Sequence, residues 1–118
     1  MSIEQAGVID SIKTKDNETV CVVIIFDHLE WNDSKHLIAL QDKINNYLSF
    51  IESGEIYKHR PEAKTQAIEI SIDCKFVPEE PDDLKFLQFA RDSIKNAGFG
   101  FSVIINNEDL ILPMTNLQ

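Results

Sequence analysis

The chain has 118 residues, with 20 Asp or Glu against 11 Lys or Arg and a formal charge of −9 at pH 7. That charge would repel phosphate backbones, so nucleic acid is excluded as an expected partner and a basic protein is the complementary one. Hydrophobic content of 43% excludes a disordered chain apart from its ends, and the length suits one core, so residues 1–118 are read as a single domain.

No apolar stretch approaches the ~18 residues of a membrane span. Met1–Gln5 lacks the basic and apolar regions of a signal peptide, so the expected location is cytoplasmic. Cys21 and Cys74 lie in apolar, strand-like runs without CxxC spacing and read as reduced core thiols. A disulfide would require them on neighbouring strands in suitable register.

Ala6–Thr14 is predicted as the first strand, weakened by Gly7, and Lys15–Glu18 has turn chemistry. Thr19–Phe26 (TVCVVIIF) is a second strand, apolar on both faces, and the short spacing makes the two a hairpin. Ser34–Ser53 is predicted as a helix. Leu37, Leu40, Ile44, Tyr47, Leu48 and Ile51 recur at spacings of three and four and fall within an arc of about 100°, the width of a core stripe. Asp33 or Ser34 can cap its start, Gly54 supplies a left-handed stop, and Ile56 is placed for the apolar contact that accompanies such a stop.

Lys58–Thr65 is predicted as a loop. Ala67–Phe76 alternates strictly, with Ile68, Ile70, Ile72, Cys74 and Phe76 on one side and Glu69, Ser71, Asp73 and Lys75 on the other, so one sheet face is wet at this strand. Pro78–Asp83 opens a second helix, with Pro81 suited to its first turn and carboxylates at the positive end of its dipole. Leu84, Leu87, Ala90, Ile94 and Ala97 form its stripe and Gly98 ends it. Phe99–Ile105 is the last main strand, Asn106–Asp109 a turn, and Leu110–Leu112 a candidate short edge strand. The ββαβαβ order predicts an α+β, two-layer sandwich: a four-stranded sheet with two helices on one face.

Asp27, His28, Glu30, Asp33 and His36 gather two histidines and three carboxylates within ten residues. Imidazole and carboxylate suit Zn²⁺ or Mn²⁺, so His28, Glu30, Asp33 and His36 are the metal candidates of a rival reading, a small metal-dependent or hydrolytic enzyme. Adjacent residues at a strand end point to opposite faces, which sets Asp27 against His28. A solvated loop with a helix cap accounts for the same residues. No phosphate loop, nucleophile elbow or HExxH occurs, no catalytic residue is assigned, and no cofactor is implied.

Four apolar side chains stand outside the pattern. Trp31 lies among charged residues, Ile38 and Phe50 fall off the stripe of the first helix, and Phe89 falls off that of the second. Large apolar groups on polar faces meet a partner, a second copy of the chain, or cover such as residues 110–117. The basic loop residues Lys58, His59, Arg60 and Lys64 could hold an anion or simply be solvated.

The pattern DHLEW, then HLxxLQxKINxYLxFIESGE, then a Pro-flanked helix ending in Gly resembles a family of small bacterial proteins without assigned function. The likeness runs from about Ile3 to Phe101 and is carried by His28, Trp31, His36, Leu37, Leu40, Gln41, Lys43, Ile44, Asn45, Tyr47, Leu48, Phe50, Ile51 and Gly54. The resemblance implies a cytosolic bacterial protein and a shared fold, and brings no catalytic residue. The leading expectation is a non-catalytic protein-interaction module that forms a homodimer or binds a protein partner, with Trp31, Ile38, Phe50 and Phe89 as contact candidates. An accessory or toxin-neutralising, immunity-like role is analogy alone. A small-ligand-binding protein is the third reading.

Overall fold

A computed structural model describes residues 3, 5, 7–110 and 112. Five strands form one mixed sheet in the order β1-β2-β3-β4-β5: Ser11–Lys15, Val20–Asp27, Ala67–Cys74, Gly100–Ile105 and Glu108–Asp109. The outer pairs β1–β2 and β4–β5 are antiparallel, while β2–β3 and β3–β4 are parallel. Helix α1 (His36–Glu52), a single turn α2 (Ile56–His59) and a 3-10 helix (Pro61–Thr65) lead from β2 to β3. Helix α3 (Pro81–Asn96) leads from β3 to β4.

The register explains the core. Cys21, Val23 and Ile25 of β2 lie level with Ile68, Ile70 and Ile72 of β3, which lie level with Phe101 and Val103 of β4. These side chains share one face, and the core joins them to Leu40, Ile44, Tyr47 and Ile51 of α1 and Leu87, Ala90 and Ile94 of α3. Because parallel strands advance one way across the sheet, right-handed crossovers bring both helices to the same face.

The opposite face carries Val22 and Glu69 at paired positions, yet Val22 is only 2% exposed. An ion pair crosses this face. Lys15 of β1 reaches Glu69 of β3 at 2.9 Å, so it must pass over β2, which lies between them. Long stems of this kind lie along apolar surface while the charged head stays near water. The Glu69 hydrogen bond holds the Lys15 ammonium above its ordinary pKa. Ser102 Oγ adds a contact to Glu69 at 2.8 Å.

Several sequence expectations are corrected. The sheet has five strands rather than four, because Asn106 and Asn107 both take positive φ and close a tight hairpin, so Glu108–Asp109 pairs with β4 inside the predicted turn. Of the candidate edge strand, Leu110 donates to the Val103 carbonyl at 2.7 Å and residue 111 lies outside the described residues. The Lys58–Thr65 stretch is helical rather than a loop, since Pro61 suits a helix start. The first strand starts at Ser11 instead of residue 6, which lies outside the described residues. At Asp10 side chains replace the ladder, as described below.

The helix ends follow backbone chemistry. Asp33 Oδ1 accepts from Lys35 N at 2.9 Å, so the cap secures the turn just before α1. Gly54 and Gly98 take φ of +85° and +98° and stop α1 and α3. A Cβ at Gly98 meets nothing within 4 Å, so any loss on substitution arises from backbone strain alone. Gly98→Ala should cost about 1 kcal/mol in urea unfolding, whereas Gly7→Ala, equally unobstructed and without positive φ, should leave stability unchanged.

Candidate functional site

Helix α1 carries two basic side chains into the core on its apolar face. His36, Leu40, Lys43, Tyr47 and Phe50 are all buried and recur at helical spacing. His36 and Lys43 must therefore find partners, because an unpaired polar or charged group in the interior is costly. Each finds an aspartate on the hairpin.

Lys43 Nζ donates to Asp10 Oδ1 at 3.0 Å and to the Gln5 carbonyl at 2.7 Å. The other Asp10 oxygen accepts from Phe26 N at 2.9 Å. The Tyr47 hydroxyl accepts from Asp10 N at 2.8 Å and donates to the Ile24 carbonyl at 2.6 Å. Side chains thus satisfy the backbone groups of β2 beyond Ser11, where the β1 ladder ends. Burial pushes the Tyr47 phenol well above its ordinary pKa.

At the same end of β2, His36 Nε2 donates to Asp27 Oδ2 at 2.6 Å, and Asp27 Oδ1 accepts from Leu29 N at 3.2 Å. Trp31 packs edge-on against the imidazole at 4.2 Å and donates from Nε1 to the Phe76 carbonyl at 2.8 Å. Cys74 completes the group, its thiol 3.9 Å from Asp27 Oδ2.

A histidine, a carboxylate and a thiol are components of nucleophilic catalysis, but this arrangement opposes that use. An activated cysteine needs its thiolate favoured. Burial pushes the Cys74 pKa up and the neighbouring Asp27 charge adds to the rise, so the thiol keeps its proton. Burial likewise raises Cys21. His36 and Asp27 are buried as well, and both cysteines are free. His36 Nδ1 has no hydrogen-bond partner among the described residues, a cost of about 1–3 kcal/mol that sets against the gain from the pair.

The accessible chemistry lies on the outer side of Trp31. A cleft of about 250 Å³ opens there, lined by Glu30, Trp31, Phe76, Glu79, Glu80 and Asp83. The loop after β2 supplies the first two residues, and the segment from β3 into α3 supplies the others. Asp83 sits in the first turn of α3 and is only 6% exposed. The Lys75 ammonium lies 5.6 Å from the Phe76 ring centroid. A larger cleft of about 540 Å³ lies across the molecule's other loops, bordered by Ile9, Ile12, Phe50, Glu55, His59 and Arg60.

The structure separates the residues singled out in the sequence. Trp31 and Phe50 are buried, the latter against His59 at 5.6 Å, while Ile38 and Phe89 are 67% and 71% exposed. Of the candidate cover at residues 110–117, Leu110 and Leu112 pack against the core, and 111 and 113–117 lie outside the described residues. His28, Glu30 and Asp33 face outward and His36 inward, and among the described residues no three His, Cys, Asp or Glu converge as a metal site. In the basic loop, Arg60 donates to the Ile12 carbonyl at 2.7 Å and Lys64 lies over Tyr57. Sequence reasoning missed Asp10, Lys43 and Asp83. For Lys43 the signal was present, since it stands three residues after Leu40 and four before Tyr47, within the stripe.

The chain belongs to a family of unknown function, DUF6572, whose profile matches residues 1–107. Comparison with curated proteins and with solved structures gives no match. Among the described residues no helix is long and apolar enough to cross a membrane.

Lys43→Met should lose about 3–5 kcal/mol in urea unfolding, because Asp10 is then left buried without its counter-charge. A second prediction concerns alkali. The folded pKa values of Cys74 and Tyr47 lie above their ordinary 9.0 and 10.0, so the unfolded chain loses these protons first. Stability from both groups is complete below about pH 9 and falls as pH rises beyond it. Urea midpoints between about pH 8 and 11 should decline, with Cys74→Ala removing part of the slope from near pH 9 and Tyr47→Phe part from near pH 10.

Proposed function

We propose that this chain is a non-catalytic protein-interaction module. The observation that carries the reading is the contrast between enclosed and exposed groups. The side chains with reactive potential, His36, Asp27, Cys74, Cys21, Lys43 and Tyr47, are buried and engaged in holding the fold. Large apolar groups instead stand in water on the outer sides of both long helices, Ile38 on α1 and Phe89 on α3. Exposed apolar groups of this size are what association removes from water.

Two forms of contact follow from the same surface. A homodimer would bury Ile38 or Phe89 against a second copy, opposed by the repulsion of two chains of charge −9. A basic protein partner would be drawn by that charge. The two differ in their response to salt, whose screening length shrinks from about 10 Å at 0.1 M to about 3 Å at 1 M. Added salt relieves repulsion between copies and weakens attraction to a basic partner.

Light scattering after size exclusion, run at low and high salt, and affinity capture from the native host with mass-spectrometric identification test both forms. The expected result is either a dimer mass that grows with salt or a stoichiometric basic partner released by salt, and Phe89→Ser should abolish it without changing the thermal midpoint. A strict monomer at both salt concentrations with no stoichiometric partner would sink the reading.

A further inference from the structure

The cleft beside Trp31 gathers four carboxylates, Glu30, Glu79, Glu80 and Asp83, with no cationic side chain among the described residues that line it. Three of these four sit on the segment that opens α3, where the helix dipole helps to hold negative charge. That effect alone explains acidic residues near a helix start, and it does not explain the position of Asp83.

Asp83 is more than nine-tenths buried, and no hydrogen bond or ion pair among the described residues engages its carboxylate. Buried carboxylates are ordinarily paired, because removal from water penalises the ionised form. Its oxygens are also absent from the fully enclosed polar atoms that lack partners, so they keep contact with the space beside them, which is this cleft. The residue is thus mostly enclosed by its neighbours, while its carboxylate is still open to a group entering from outside.

The walls narrow the chemistry of that group. Trp31 and Phe76 line the cleft, and aromatic faces attract ammonium and guanidinium ions. The Phe76 ring already draws one such ion, the Lys75 ammonium. At about 250 Å³ the space is below the roughly 300–1,000 Å³ of small-molecule pockets and suits one extended side chain. The −9 charge of the chain would steer a basic protein toward it.

We infer that the cleft between the β2–α1 loop and the start of α3 receives a lysine or arginine side chain of a basic partner protein, with Asp83 as the charge partner and Trp31 as an aromatic wall. This rests on the interaction-module reading and names the partner chemistry for it.

Trp31 is the only tryptophan of the chain, so its fluorescence reports on the cleft directly. The probes are a short peptide centred on lysine, its arginine counterpart, a norleucine peptide that keeps the alkyl chain without the charge, and butylamine alone. The cationic peptides should produce a saturable change and the norleucine peptide none. Asp83→Asn should weaken the cationic peptides about tenfold, the loss of one charge-assisted contact. Should Asp83→Asn fail to fold, Glu79→Gln/Glu80→Gln, altered at exposed positions, should weaken them several-fold and serve in its place.

Equal titration by the norleucine peptide, or variants that bind like wild type, would overturn the inference. Butylamine binding as tightly as the peptides would also overturn it, by assigning the cleft to free amines. If the cleft fails these tests while Phe89→Ser still abolishes association, the module reading stands without it. If neither surface binds, both readings fall.

Discussion

Two buried cationic or proton-donating groups on one helix, each held by an aspartate on the hairpin, determine how this molecule fits together. Lys43 reaches Asp10 and His36 reaches Asp27, so α1 is tied at two points to the C-terminal end of β2, where Asp10 also holds Phe26 N. Such pairs gain little net stability over apolar packing, since desolvation offsets most of their attraction. Their effect is on register. Sliding or rotating α1 by one residue would leave an ammonium and two carboxylates without partners in the interior. An apolar stripe alone tolerates that movement much better, because apolar contacts are not directional.

The same constraint separates fold from recognition. Asp27, His36 and Cys74 could suggest a reactive centre on paper, but they lie beneath Trp31 and the end of β2, with the thiol proton held by burial and by the Asp27 charge. Trp31 is the boundary between the two regions. Its inner side packs on His36, its ring nitrogen ties the loop to Phe76, and its outer side contributes to the acidic cleft. One residue therefore closes the buried polar group and shapes the surface beside it.

Legibility in the sequence followed the range of the physics. The alternation of Ile68, Ile70, Ile72 and Cys74 was plain because strand geometry sends successive residues to opposite faces, and those four are buried. The α1 stripe and the stop at Gly54 were equally plain. Phe50 falls off the stripe that runs through Ile44 and Ile51, and it is buried all the same. In fact the buried face is wide enough to include His36, Lys43 and Phe50, since the helix packs against the hairpin's polar end and His59 as well as the sheet. Lys43 is not legible as a core residue, because a lysine is normally solvated and only a counter-charge nearby makes its burial tolerable.

The sequence by itself determined the α+β class, the order of the main elements, their ends at Gly54 and Gly98, and the burial of both cysteines. These depend on periodicity and backbone preference, which act over a few neighbouring residues. Only the tertiary structure decided that Asp10 and Asp27 would pair with side chains of α1, that Lys15 would reach Glu69 across β2, and that Asp83 would line a cleft with Trp31. Those outcomes join residues 9 to 54 positions apart. Charge pairing over such separations depends on where the folded backbone brings each group, and no local pattern encodes it.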